Sequence, residues 1–369
     1  MAVLTPIRFI AKEKSNFYQT LNARVEAYFK ARNLPKQGNL SVYLKGIALL
    51  SLYLLPFFLM LFYTFSFAWA MVLWALMGWG MAGVGMSIMH DANHGAFSKF
   101  KWVNEWVGYS LLLLGGSVFN WKLQHNMLHH TFTNISHYDE DIADKPGLRL
   151  SPNTELKRSH RFQWLHALVI YSLVTLYWVT AKDFLQFARY SKMGINKNTA
   201  SENRIFLLKL IGIKIAYFAV FLGLPLLAGV PVLQVIAGFI LMHLVGGTIL
   251  TVIFQLAHSV EETTFPMPNE AGNIEQEWAV HQMETTVNFS RKNRILSWYV
   301  GGLNFQVEHH LFPKICHIHY PKISKIVKET AKEFDVPYLE HRSFWHALRS
   351  HFATLKRFGK LPKMEEMMG

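Results

Sequence analysis

Three short stretches of this chain carry residues able to do chemistry: His90–Asp91–Ala92–Asn93–His94, His125 to His130, and Gln306–Val307–Glu308–His309–His310. Together they hold seven of its eighteen histidines. His90 and His94 are four apart, so on a helix they share one face and can aim at one ion. His125 and His129 repeat that spacing. His130 lies about 100° round an α-helix from His129, so adjacent histidines diverge and one can serve each of two metals. His309 and His310 repeat the arrangement, with Gln306 one turn earlier. One such pair is weak evidence, because helices carry unrelated histidines. Three clusters flanking long apolar runs point to a metal site beside a bilayer.

The chemistry favours iron. So many imidazoles exceed the three or four ligands of a zinc centre, and imidazole suits iron. No His-Glu-x-x-His protease signature is present. Soluble di-iron proteins take carboxylates from a four-helix bundle; a histidine-rich membrane site is the counterpart expected here. Two irons can activate dioxygen for attack on an unactivated C–H bond, a reaction the metal carries while the protein fixes geometry.

Long apolar elements must position these clusters. The chain has 369 residues, 51% of them hydrophobic, and a formal net charge of +13. Gly46 to Met89 runs 44 residues without Asp, Glu, Lys or Arg, and Ile215 to Ala257 another 43. A spanning helix needs about 20 residues, so each block predicts a helical hairpin, with turns near Thr64–Phe67 and Gly229–Pro231. The cations lie outside both blocks, which predicts cytoplasmic termini and a cytoplasmic central segment by the positive-inside rule. That placement argues for membrane rather than nucleic acid as the reason for the basic charge. Val103 to Trp121 and Trp164 to Ala181 are also apolar. If either crossed alone, it would put ligands of one site on opposite faces, so both are read as interfacial or re-entrant helices. No signal peptide is evident, and the single Cys316 excludes an intrachain disulfide framework.

The expected fold is therefore an all-α integral membrane protein. It has four transmembrane helices as two hairpins, and a cytoplasmic helical cap holding a histidine-rich di-iron site. Residues 1–45 form a polar cytoplasmic N-terminal segment and 46–89 the first hairpin. Residues 90–205 form a cytoplasmic or interfacial segment with the first two clusters. Residues 206–257 form the second hairpin, and 258–369 the rest of the cap. Ile323, Ile326, Val327, Ala331 and Phe334 predict a helix packed on one face. The Lys- and Met-rich tail is expected to be loose.

The three clusters resemble the histidine boxes of the integral-membrane fatty acid desaturases. Gln306 stands where the third box usually begins with histidine. That replacement resembles the front-end subgroup, which inserts a double bond between an existing one and the carboxyl end. Gly302–Leu303–Asn304–Phe305, Leu311–Phe312–Pro313, Trp278, Gln282, Thr286 and Asn288 resemble the same subgroup, and the likeness runs from about Met89 to Tyr338. It implies O2-dependent desaturation of a long-chain acyl group, on CoA or a lipid ester, by two non-haem irons. The implied ligands are His90, His94, His125, His129, His130, His258, His309 and His310, with Gln306 as a further candidate. His258, in Gln255–Leu256–Ala257–His258, enters only through this resemblance; a helix-end histidine favoured by the helix dipole is the alternative. Eukaryotic front-end enzymes often carry a fused cytochrome b5 domain with a His-Pro-Gly-Gly motif. Residues 1–45 are too short and lack it, so electrons are expected from a separate ferredoxin or cytochrome b5.

Metal-bound imidazoles usually donate their other N–H to an acid or carbonyl. Asp91 and Glu308, inside boxes, are the favoured acids, ahead of Asp139, Asp141, Glu261 and Glu262. His243, inside the last apolar run, reads as a hydrogen-bonded packing residue. His137, His317 and His319 read as neighbours rather than ligands, His281 is left out, and Asn134 has no assigned role. A membrane hydroxylase or a sphingolipid desaturase would share the boxes. A metal or lipid carrier would place polar ligands along its spans, where only His243 sits.

Overall fold

The computed structural model describes residues 7–11, 15–143 and 145–362. The tail expected to be loose falls from residue 363 outside the described residues, as do parts of the N-terminal segment. The chain is predominantly helical. The two apolar blocks form four helices long and apolar enough to cross a membrane: Leu40–Phe62, Phe67–Asn93, Ala200–Leu227 and Val232–His258. These are the first to fourth long helices below. The breaks fall at residues 63–66 and 228–231, as the turn residues predict, and Ser66 caps the second helix by accepting from the Trp69 N–H.

The first and third long helices begin before the charge-free blocks that announced them, because each takes a lysine inside. Lys45 is 4% exposed, with its ammonium 3.0 Å from His317 Nε2. Lys214 is 6% exposed, donates to the Trp178 carbonyl and meets Asp183 at 2.6 Å. A buried cation is tolerated when paired, and pairing partners this distant in sequence leave no local signal.

The second long helix is central. A Cβ on Gly80 would stand 2.4 Å from the Tyr53 nitrogen, so glycine lets the first and second helices touch backbone to backbone. Small residues serve this purpose where helix association depends on packing rather than on water. The fourth helix packs on the second through Trp74, Met242 and Phe239. The third is the most exposed, with Leu208 at 63% and Ile215 at 65%.

The two apolar segments read as interfacial do not form long straight helices. Val103 to Trp121 divides into Lys101–Gly108, a tight turn at Tyr109–Leu114 and Val118–Trp121. Trp164 to Ala181 lies in a helical pair, Arg158–Ser172 and Val174–Lys192, bent by 53°. Beyond the fourth helix, Tyr320–Glu333 buries Ile323, Val327 and Ala331 against Phe17, Leu21, Val25 and Phe29 of Phe17–Ala31. Two small parallel strand pairs tie distant segments together: Arg8–Phe9 with Asn273–Ile274, and Asn288–Phe289 with Glu340–His341. His243 is fully buried, 3.1 Å from both the Tyr217 hydroxyl and Thr175 Oγ1, as expected of a packing histidine.

Candidate metal centre

The ends of two long helices and two short helices converge on one buried cluster. The second long helix supplies His90, with His94 just beyond its last residue. The fourth supplies His258 as its last residue. The short helix Gln306–Leu311 is fully buried. It follows a turn in which Gly301 and Gly302 have φ of 63° and 71°. A Cβ on Gly301 would lie 2.6 Å from the Met86 carbonyl oxygen, so only glycine lets this turn close onto the segment before His90.

The imidazoles form two groups. One nitrogen from each of His90, His94, His125 and His309 lies within 4.8 Å of the others, and the same holds for His129, His258 and His310. His90 Nε2 and His125 Nε2 are 3.0 Å apart. The Gln306 amide lies 2.9 Å from His258 Nε2 and 3.3 Å from His310 Nε2, which completes the second group. His130 stands between them. Its Nε2 is 3.2 Å from His125 Nε2, while its ring stacks on His310 with centroids 4.4 Å apart. Two ligands at right angles on one ion, each about 2.1 Å from it, stand about 3 Å apart, so these spacings suit metal coordination.

Ideal α-helical geometry assigns His125 and His129 to one ion. The structure divides them between the two groups of four and three imidazoles, although their nitrogens also lie within 4.8 Å of each other and of an Asp141 oxygen, and the backbone gives the reason for the division. Lys122–His129 is a π-helical segment, as is Val84–Met89 just before His90. A π-turn hydrogen-bonds i to i+5 and often marks functional sites, so His130 rather than His129 returns beneath His125. His129 and His130 diverge as expected, and so do His309 and His310.

Four of the eight rings have one nitrogen engaged from behind. His129 Nδ1 is 3.0 Å from Asp139 and 3.4 Å from Asp141. His258 Nδ1 donates to the Thr285 carbonyl at 3.2 Å. His310 Nδ1 donates to Gln282 Oε1 at 2.8 Å, and His309 Nδ1 is 3.2 Å from the Tyr320 hydroxyl. Each contact fixes a ring and leaves Nε2 facing inward. His94 Nε2, His129 Nε2, His309 Nε2 and Gln306 Oε1 are buried without a partner among the described residues. Unpartnered buried polar atoms are costly, and a pair of metal ions would satisfy them. Burial holds His125, His130, His309 and His310 well below the usual imidazole pKa, with neighbouring imidazoles adding to it. They are therefore neutral, as metal ligands must be. His129 is the exception: burial pushes it down, but the charges of Asp139 and Asp141 outweigh that and hold it up to about 9.

Asp91 and Glu308, the acids favoured by position, turn elsewhere. Asp91 pairs with His317 Nδ1 at 2.6 Å and accepts from the Cys316 thiol at 3.1 Å. Glu308 accepts from Asn288 and the Tyr338 hydroxyl at 2.9 and 2.8 Å. Asp139 and Asp141 do the work expected of them, and an acidic pair nine and eleven residues past His130 was the available signal. Asn134 proves important as well. At φ 59° its side chain donates to the His258 carbonyl at 2.9 Å, and its N–H donates to Asp139. It joins the second cluster to the end of the fourth helix. Trp278 donates to the His130 carbonyl at 3.3 Å. His137 is exposed, and His319 meets the Gln37 carbonyl at 3.4 Å.

Comparison with known proteins supplies the family. Residues 66–342 match the family model described as fatty acid desaturase. The chain belongs to the fatty acid desaturase family. It is 36% identical to the sn-1 linoleoyl-lipid 6-desaturase of Arthrospira platensis, covering 94% of each chain. It is 34% identical to the enzyme of the same name from Synechocystis, covering 97% of this chain and 99% of that one. Identity to the acyl-lipid (8-3)-desaturase of Physcomitrium patens is 37%, over 96% of this chain and 74% of the moss protein. The desaturase is thus an oxidoreductase that unsaturates fatty acyl groups. Its four long apolar helices fit an integral membrane protein, and its histidine groups fit a metal-dependent one.

Proposed function

We propose that this desaturase uses a pair of non-haem irons to insert a cis double bond into a lipid-linked acyl chain, on the carboxyl side of an existing one. The observation that carries this reading is the double histidine cluster, with inward-facing nitrogens left unpartnered. His90, His94, His125 and His309 would hold one iron and His129, His258, His310 and Gln306 the other, with His130 between them. When bound, such a pair supplies the activation of O2 needed to take hydrogen from an unactivated methylene. The balance is one acyl CH2–CH2, one O2, two electrons and two protons giving CH=CH and two waters.

The protein's part is positional. Asp139 and Asp141 orient His129, and their charge offsets that of a metal. Gln282, Tyr320 and the Thr285 carbonyl fix three more rings. The aromatic wall of Trp121, stacked on His125 with centroids 4.5 Å apart, excludes water from one side. Small displacements of an acyl chain against such a fixed centre change which carbons react. Gln306 in the third box supports the front-end assignment. The names of the cyanobacterial and moss relatives favour a lipid ester over acyl-CoA. The two hairpins would place both termini and the centre on the cytoplasmic side, with membrane lipid around the four long helices and electrons delivered by a separate ferredoxin or cytochrome b5.

The test is expression in a host lacking polyunsaturated lipids, fed linoleic acid, with double-bond mapping of the extracted lipid classes. A new double bond nearer the carboxyl end, formed on glycerolipid, is expected. Hydroxylated chains without new double bonds, or an unchanged lipid profile with iron and a reductant supplied, would refute the reading.

A further inference from the structure

The segments outside the four long helices carry two unlike kinds of surface. On one, large apolar side chains stand in the open: Trp102 is 63% exposed, Trp106 74%, Trp298 48% and Trp345 68%. Tryptophan in such numbers belongs at a membrane–water interface. The other face is built from Phe17–Ala31 and Tyr320–Glu333. Among the described residues, no large apolar side chain is exposed from 17 to 33 or from 299 to 344. This second face is made for water, and it is basic. Lys322, Lys325 and Lys332 are exposed along one helix and pair with no acid among the described residues. Lys30 and Arg32 add charge beside them. Of the acids nearby, Glu333 pairs with Arg24 at 2.7 Å, Glu26 with Lys36, and Glu340 with Lys328 and Arg291, while Glu329 is exposed on the same helix and leaves the lysines in excess.

This face lies close to the histidine cluster. Tyr320 is the first residue of the basic helix and is 1% exposed, with its hydroxyl 3.2 Å from His309 Nδ1. Its neighbours Pro321 and Lys322 are exposed. One side chain therefore separates the water-facing surface from an imidazole of the first group. Along the rest of the helix the inward residues are Ile323, Val327 and Ala331, which touch apolar core.

We infer that the lysine face of Tyr320–Glu333 is the docking surface for an acidic, water-soluble one-electron carrier protein, which delivers electrons by way of Tyr320 and His309. The inference rests on the proposed desaturation, which consumes two electrons per double bond and so requires two oxidations of the reduced carrier. Unlike-charged faces steer such encounters and raise the association rate, an effect that falls with salt. The basic helix Phe344–Phe358 is the internal contrast. It carries Arg349, Lys356 and Arg357 but also the exposed Trp345, to which the lysine helix has no counterpart.

The experiment uses the full-length protein in nanodiscs with two acidic probes, a plant-type [2Fe–2S] ferredoxin and the soluble domain of cytochrome b5. Turnover is driven either by the reduced probe or by dithionite-reduced methyl viologen. In K322E/K325E the KM for at least one probe should rise about 10-fold or more at low salt, and the difference should shrink in high salt. The viologen-driven rate should stay within about twofold of wild type. R349E/K356E should leave the KM unchanged. A bimane label at Lys325→Cys should be quenched by iodide and not by brominated lipid. Equal probe KM values in K322E/K325E and wild type would overturn the docking surface. So would quenching by lipid, or loss of the viologen-driven rate in both K322E/K325E and the neutral K322Q/K325Q. Failure of wild type to desaturate with any electron source would instead refute the proposed reaction, and salt-dependent binding of the probes to the lysine face would still be measurable.

Discussion

The two histidine groups differ in how they are built. The first, His90, His94, His125 and His309, is held mainly by ring-on-ring packing. His90 lies 4.5 Å from His309 and 4.7 Å from His94 between ring centroids, and Trp121 closes the side. Among the described residues, only the Tyr320 hydroxyl backs it with a hydrogen bond from outside the cluster. The second, His129, His258, His310 and Gln306, is held from behind by Asp139, Asp141, Gln282 and the Thr285 carbonyl. One group is packed and the other is hydrogen-bonded and negatively charged behind its rings. Two irons in these sites would therefore be electronically unequal, the second favouring the higher charge because carboxylates stand behind it.

The largest effects should come from the ligand positions. His309→Ala strips the first group and His129→Ala the second. Each should lower desaturation more than about 100-fold, beyond the usual effect of a supporting residue, and each should reduce the iron bound per chain. Metal analysis of the purified variants with lipid profiling checks this. Iron content and double-bond formation equal to wild type in either variant would break the division into two sites. Gln306→Leu should act on the second group alone, costing about 10- to 100-fold in iron affinity there, whereas Gln306→His should keep both irons.

Supporting residues sharpen the contrast. Asp139→Asn keeps a hydrogen-bond acceptor near His129 but removes the charge, and about a 10- to 100-fold loss of iron affinity or activity is expected. Tyr320→Phe removes the hydrogen bond from the Tyr320 hydroxyl that backs the packed group. Because packing still holds His309, the loss should be smaller, under about 10-fold. Iron titrations of the two variants side by side decide the point, and equal losses would mean that the groups are supported alike.

The sequence exposes this site unevenly, for physical reasons. Spacing and apolar runs reveal the histidines, the four long helices and the breaks at 63–66 and 228–231, because each is a local pattern. The partition into two groups is not local. It depends on the π turn over Lys122–His129, which changes the register by one residue and leaves no periodicity to read. The sequence offers Asp139 and Asp141 among the candidate supporting acids but ranks Asp91 and Glu308 ahead of them, because nearness in sequence is not nearness in space. Asp91 adjoins His90 yet turns to His317, while Asp139 reaches His129 across a loop ten residues long. Lys45 and Lys214 were likewise hidden, since a charge inside a helix is acceptable only through partners 272 and 31 residues away.

The smallest effect concerns the anchor of the second group and follows from pH. His258 ends the fourth helix, and the next residue, Ser259, offers its carbonyl to His351 Nδ1 at 2.7 Å. His351 Nε2 lies 2.8 Å from the Tyr171 hydroxyl, so the neutral ring bridges the C-terminal helix to the bent helical pair. Burial lowers the pKa of His351 to about 4, against a smaller opposing pull from the Ser259 carbonyl. The folded value lies below the unfolded value of about 6.5. Protons therefore bind the unfolded chain first: the stabilisation from the neutral ring is complete above about pH 6.5 and fades as pH falls toward 4. Over that window the change is a few kcal/mol at most, about 1.4 per pKa unit. His351→Gln retains polar contacts and cannot titrate, so its Tm should start lower at pH 7.5 and fall less by pH 5 than that of wild type. Among the described residues the first group has no contact of this kind with the C-terminal helix, so acid should loosen the second group before the first. Parallel Tm curves for wild type and His351→Gln would remove His351 from the support of the second group and leave Thr285, Gln282 and the two aspartates to hold it.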